Sequence, residues 1–172
     1  AFNKATFDSM KLLSKFVFTG LLFCFTSSLW SQDVQVYMQY DDLRPVLTKS
    51  NDTTYVVNFW ATWCKPCVKE LPEFQKINQK FKGQKFKMIL VSLDFETQVE
   101  SKVIPFIKER NIEAEVVVLA DSKQHQWIDK VHPDWSGSIP ITLIHNKDFA
   151  YFKEGTLTYE ELNELITNNI IK

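Results

Sequence analysis

Between Thr54 and Trp60 the chain reads TYVVNFW, β-branched or aromatic at nearly every position. Successive side chains of a strand point to opposite faces, so this segment has no face to give to water. It predicts a strand buried on both sides. Beyond Trp60 the pattern alternates between helix and strand. Residues 65–82 predict a helix, because Val68, Leu71, Phe74, Ile77 and Phe81 recur at threes and fours. Pro72 lies inside it and is expected to kink it, since it donates no hydrogen bond and its ring displaces the carbonyl of Val68.

Residues 86–93 (FKMILVSL) predict a second strand, 98–110 a helix with Val99, Val103 and Ile107 on one side, and 115–120 (EVVVLA) a third strand. A short helix over 123–131 precedes two strands, 141–145 and 150–153, joined by a tight Asn-Lys-Asp turn. Thr158 and Glu161 have the spacing of a capping box, opening a last helix with Leu162, Leu165 and Ile166 inward. Residues 32–51 read as polar and irregular. The resulting order is β-α-β-α-β-α-β-β-α. Strands separated by helices imply parallel crossovers, and the late hairpin adds an antiparallel edge. The fold class is therefore α/β, in three layers: a central mixed β-sheet flanked by helices on both faces. No repeat, low-complexity tract or linker divides residues 32–172, which read as one domain.

The chain has 172 residues, enough for one domain to bury a core without staples. Its 20 basic and 21 acidic residues leave a net charge of -1, so no electrostatic footprint for nucleic acid exists. Residues 1–31 read as an address. Lys11 and Lys15 are followed by an apolar run over 16–25 and a small polar end over 26–31, the form of a secretory signal peptide. Cleavage near Ser31 is the expectation, with an uncleaved N-terminal anchor as its rival. Residues 1–9 ahead of Met10 look like an over-extended start, and Cys24 leaves with the peptide. Export would put the remaining cysteines where disulfides form and persist.

Those cysteines are Cys64 and Cys67, in Trp63-Cys-Lys-Pro-Cys67, where the predicted strand ends and the predicted helix begins. A sulfur at the first turn of a helix faces unsatisfied amides and the positive end of the helix dipole. Both favour the thiolate, so Cys64 is expected to be more acidic than an ordinary thiol. The spacing sets Cys67 beside it across one turn, and Pro66 in the first turn loses no hydrogen bond. Lys65 adds a nearby positive charge. Cys64 is the expected nucleophile towards a substrate disulfide, and Cys67 the group that resolves the mixed disulfide. Half a zinc site is the competing reading, but His125, His132 and His145 offer no ligand knuckle, and no metal or other cofactor is expected.

The run Val57-Asn-Phe-Trp-Ala-Thr-Trp-Cys-Lys-Pro-Cys67, continued by Val68-Lys-Glu-Leu-Pro72, resembles the active-site segment of the TlpA/ResA-like thioredoxin family. These are exported or membrane-tethered thiol-disulfide oxidoreductases. The resemblance implies a thioredoxin-like fold, catalytic roles for Cys64 and Cys67, and a thiol-tuning, proton-moving role for Glu70, whose bland reading is a solvated helix residue. Asn58 stands where cytoplasmic-type thioredoxins carry an Asp; it cannot shuttle a proton and is expected to hydrogen-bond locally. Trp135-Ser-Gly-Ser-Ile-Pro140 resembles the family's second signature and implies a cis-Pro140 facing the cysteines, with the Ile139 backbone free to pair with a substrate chain. Trp63, Lys65, Pro66, Ile139 and Pro140 are the candidate substrate contacts. Trp60 reads as core or as packing beside the site, and Trp127 and Trp135 as shaping a groove. The implied partners are protein thiols and disulfides outside the cytoplasm, or in the periplasm, together with an upstream redox partner such as a membrane electron donor. The chain is expected to act as a monomer and as a reductant.

Two other classes remain. A peroxidase of peroxiredoxin type needs a Thr three residues before its nucleophile, where this chain has Ala61, and a distant Arg, of which only Arg44 and Arg110 exist. A non-catalytic binding module would have no use for the cysteine pair.

Overall fold

The computed structural model describes residues 34–169. The address segment 1–31, with Cys24, lies outside them. Strand β1 (Gln35–Tyr37) leads into helix α1 (Tyr40–Leu47). Next come β2 (Thr54–Trp60), α2 (Lys65–Lys80) and β3 (Phe86–Ser92). A 3-10 turn (Glu96–Gln98), a π turn (Val99–Val103) and α3 (Ile104–Glu109) make the crossover to β4 (Glu115–Leu119). After a 3-10 turn (Gln124–Gln126) come α4 (Ile128–Val131), the hairpin of β5 (Ile141–His145) and β6 (Ala150–Glu154), and α5 (Tyr159–Asn169).

The sheet order is β1-β4-β3-β2-β5-β6. The first four strands are parallel, and β5 and β6 add antiparallel pairs. All seven residues of β2 are buried, as a strand apolar on both faces requires. Val56, Met88, Leu90 and Val118 meet Phe74 and Ile77 of α2, Ile107 of α3 and Leu162 of α5 on one face. Val57, Phe59, Ile89 and Val91 meet Leu43 and Leu47 of α1 and Trp127 on the other. Each large side chain sealed in these two cores contributes about 1.5–3 kcal/mol.

Three expectations are corrected. The stretch expected to be irregular holds two elements between residues 35 and 47, β1 and α1. The helix shows Tyr40, Leu43 and Leu47 buried at spacings of three and four, with Pro45 inside and Asp41 and Asp42 in its first turn. The segment 98–110 is a π turn joined to a short α-helix rather than one α-helix, although Val99, Val103 and Ile107 all face inward as expected. The β5–β6 turn spans residues 146–149, where the Asn146 side-chain oxygen accepts the Asp148 amide at 2.8 Å. Helix α2 is continuous through Pro72. The capping box forms as read: Thr158 Oγ1 accepts the Glu161 amide at 3.2 Å, and Glu161 Oε2 accepts the Thr158 amide at 2.8 Å.

Candidate active site

Helix α2 starts where β2 releases the chain at the C-terminal end of the parallel strands. Cys64 is its N-cap, with extended backbone (φ -85°, ψ 99°), and its Sγ accepts the Cys67 amide at 3.3 Å. A cap position normally uses a side-chain oxygen on these orphan amides; here a sulfur does so. Cys64 and Cys67 form a disulfide, with Cα atoms 5.3 Å apart. Cys64 keeps 5% of its surface and Cys67 none, so a reagent from solvent meets Cys64 first. Lys65 and Pro66 are exposed around it, and Trp63 is 57% exposed.

The turn that delivers Cys64 is pinned from β3. Asp94, just past that strand, is fully buried. Its carboxylate accepts the Thr62 amide at 2.9 Å, the Thr62 hydroxyl at 2.5 Å and the Ser92 hydroxyl at 2.7 Å. A buried charge is tolerated only when its lone pairs are satisfied in this way. The Cys64 amide then closes a turn on the Ala61 carbonyl at 3.1 Å. Nothing in the sequence pattern marked Asp94, because an acidic residue after a strand is the ordinary look of a solvated loop.

The opposite wall comes from much later in the chain. The Ile139–Pro140 bond is cis, and the Ile139 carbonyl oxygen lies 3.7 Å from Cys64 Sγ. Pro140 is buried and Ile139 half-buried. The preceding loop is fixed at three points. Trp135 Nε1 donates to the Ser138 carbonyl at 2.7 Å, and Ser136 donates its amide and hydroxyl to Glu154 at 2.9 and 2.5 Å. These bonds hold the Glu154 carboxyl below the usual carboxylate range. Gly137 supplies the left-handed backbone (φ +95°), and a Cβ there would stand 3.2 Å from Ile128 Cδ1.

Glu70 is not a solvated residue. It is 4% exposed. Its Oε1 accepts Asn58 Nδ2 at 3.0 Å and its Oε2 the Leu157 amide at 2.9 Å. Burial pushes its pKa up to about 7, against the opposing pull of the two hydrogen bonds and of Lys153. Asn58 does not bond locally either. Besides Glu70, its amide nitrogen reaches the Ile141 carbonyl at 3.3 Å and Thr142 Oγ1 at 3.2 Å, tying β2, β5 and α2 together. Trp127 and Trp135 are core residues rather than exposed walls of a groove. Both are buried with ring centroids 5.7 Å apart, and Trp135 also meets Phe59 at 5.2 Å. Trp60 is core, packed on Phe106 at 5.3 Å.

Comparison with known proteins decides the family. The sequence profile of the AhpC/TSA family matches residues 41–149, which include Cys64, Cys67, Asp94 and Pro140. The chain belongs to the AhpC/TSA family. The sporulation thiol-disulfide oxidoreductase A of Bacillus subtilis (strain 168) is 31% identical over 111 residues, 63% of this chain and 64% of that protein. The thiol-disulfide oxidoreductase ResA of the same organism is 30% identical over 120 residues, 67% and 60% of the two chains. The chain thus spans less than two thirds of the length of these curated relatives. The crystal structure of a thioredoxin-related protein from Neisseria meningitidis serogroup B superposes with a TM-score of 0.60 at 20% identity, over 74% of this chain and 91% of that one. The fold of this AhpC/TSA member is thioredoxin-like.

Proposed function

We propose that this protein is a thiol-disulfide oxidoreductase that reduces protein disulfides outside the cytoplasm. The observation that carries the reading is the asymmetry of the pair: Cys64 caps a helix with a reachable sulfur, and Cys67 is sealed one turn behind it. The Cys64 thiolate attacks a substrate disulfide, forming one bond to a substrate sulfur and expelling the other as thiolate. The Cys67 thiolate then attacks Cys64 Sγ, freeing the second substrate sulfur and leaving the Cys64–Cys67 disulfide. Two electrons pass to the substrate, and an upstream dithiol donor, such as a membrane-bound one, restores the pair. Cys67 must lose its proton in the second step. Glu70 lies one helical turn away, and a carboxyl that titrates near neutrality suits a proton acceptor. The Ile139 backbone beside Cys64 offers an extended substrate chain a pairing edge, with Trp63, Lys65, Pro66 and Pro140 around it.

The names of the curated relatives support this activity. The signal-like pattern of residues 11–31 supports export, and the monomer is the working unit. Peroxide reduction finds no support at the site. Ala61 stands where that chemistry needs a Thr, and the neighbouring Thr62 hydroxyl is bonded to Asp94. The test is dithiothreitol-driven reduction of insulin with single variants. Cys64→Ala abolishes turnover, and Cys67→Ala accumulates mixed disulfides visible on non-reducing gels. Turnover by Cys64→Ala, or fast peroxide consumption by Cys67→Ser, would sink the proposal.

A further inference from the structure

We infer that the substrate is a polypeptide carrying an apolar side chain next to its reacting cysteine, seated on Trp63 and Phe95. The inference rests on the oxidoreductase reading above and deepens it. Among the described residues the large hydrophobic side chains left exposed are Met38, Trp63 and Phe95, at 52%, 57% and 67%. Their placement is not scattered. Each comes after the C-terminal end of a parallel strand: Met38 after β1, Trp63 after β2 and Phe95 after β3. Parallel strands end on one edge of a sheet, and Cys64 leaves from that same edge.

Scattered single apolar residues on a surface need no explanation, but three gathered at one edge do. The backbone arms that carry Trp63 and Phe95 are also held in place. The Leu93 amide donates to the Trp60 carbonyl at 2.8 Å, extending the β2–β3 ladder past its last paired residues. One step further, Asp94 grips Thr62 through both its amide and its hydroxyl. Trp63 and Phe95 are the next residues out on the two joined arms, and adjacent strands lie about 4.8 Å apart. A substrate segment that crosses these two arms therefore passes both residues. Apolar surfaces fixed before binding lose little conformational freedom when covered, which favours their use in recognition.

The covalent step decides the occupant. A sulfur that reaches Cys64 Sγ brings its flanking residues across Trp63, which is bonded to Cys64. An apolar flank seated there removes both rings from water without giving up hydration of its own. Met38 lies three strand spacings from β2, about 14 Å, so the platform accommodates roughly four extended substrate residues.

Two disulfide-linked peptide dimers test this, one with Leu before and Phe after its cysteine, the other with Ser at both positions. With dithiothreitol as donor, the wild-type protein should favour the apolar peptide by about tenfold or more in kcat/KM, the effect of partly covering one ring. Phe95→Ser should bring the two peptides towards parity, while its redox equilibrium with glutathione stays that of the wild type. Residue 95 is largely exposed, so the variant is expected to fold. Equal rates for the wild type, or a preference retained in Phe95→Ser, overturn the inference and leave the oxidoreductase reading standing. Reduction of neither peptide above dithiothreitol alone refutes both. A dimer that Phe95→Ser dissociates, or Phe95-dependent binding to phosphatidylglycerol vesicles, assigns the platform to another occupant and overturns the inference too.

Discussion

Replacing Glu70 by Gln tests whether the buried carboxyl titrates near neutrality. In the folded protein its pKa is about 7, against an ordinary value of 4.5. At about 1.4 kcal/mol per unit, that difference amounts to roughly 3 kcal/mol. The folded value is the raised one, so the folded state holds the proton more tightly than the unfolded state. The favourable contribution of the neutral carboxyl is fully present below pH 4.5. It drains away between 4.5 and 7, and is gone above 7. Gln cannot titrate, but it has one acceptor oxygen where Glu70 serves both Asn58 and Leu157. One donor is left unpaired, a fixed loss of about 1–3 kcal/mol at every pH. The informative quantity is therefore the change in the difference between the two proteins. From pH 4 to pH 8 it should move by roughly 3 kcal/mol in favour of Glu70→Gln. Urea unfolding of both proteins with the disulfide intact, at unit pH steps, reads it without interference from thiols. A difference that is flat across pH would show that Glu70 titrates as an ordinary carboxyl, and its use as a proton acceptor at neutral pH would fall with it.

The same packing makes two further outcomes testable. Asn58→Asp sets a second carboxyl where an amide now donates to Glu70 at 3.0 Å. Two carboxylates sharing one buried site cannot both ionise cheaply, so this variant should lose stability between about pH 5 and pH 8 more steeply than the wild type, by urea unfolding. Thr158→Ala removes the acceptor for the Glu161 amide at the start of α5; a loss of about 1 kcal/mol, with α5 the first segment to exchange its amide hydrogens, is the expected result.

The parts of this molecule that were legible in the sequence are those with a local rule. The all-buried β2, the inward face of α2, the Cys64 cap and the Thr158–Glu161 box each depend on residues within a few positions of one another. β1 was missed because a strand of three residues gives alternation too little length to register. In α1, Tyr40, Leu43 and Leu47 keep a helical spacing, but they are three apolar positions in a stretch whose polar composition, with Pro45 inside, looks irregular. The supports of the site were invisible for a different reason. Asp94 reaches back 32 residues to Thr62, and Asn58 reaches forward 84 to Thr142. No periodicity encodes such pairings. The burial of Glu70 belongs to the same class, since the α2 pattern places it next to Leu71 but cannot say that Leu157 will cover it.

The wall opposite Cys64 is supplied by Ile139, 75 residues further along the chain. A chain is made from its N-terminus, so the two cysteines exist well before the segment that flanks them. At about 5–20 residues per second, the interval lasts roughly 4–15 s. During it the helix can nucleate and cap the sulfur, yet the selective surround is missing. A newborn pair of this kind is chemically competent before it is choosy, so the cell that makes it has reason to keep it reduced, or occupied, until Ile139 and its neighbours arrive.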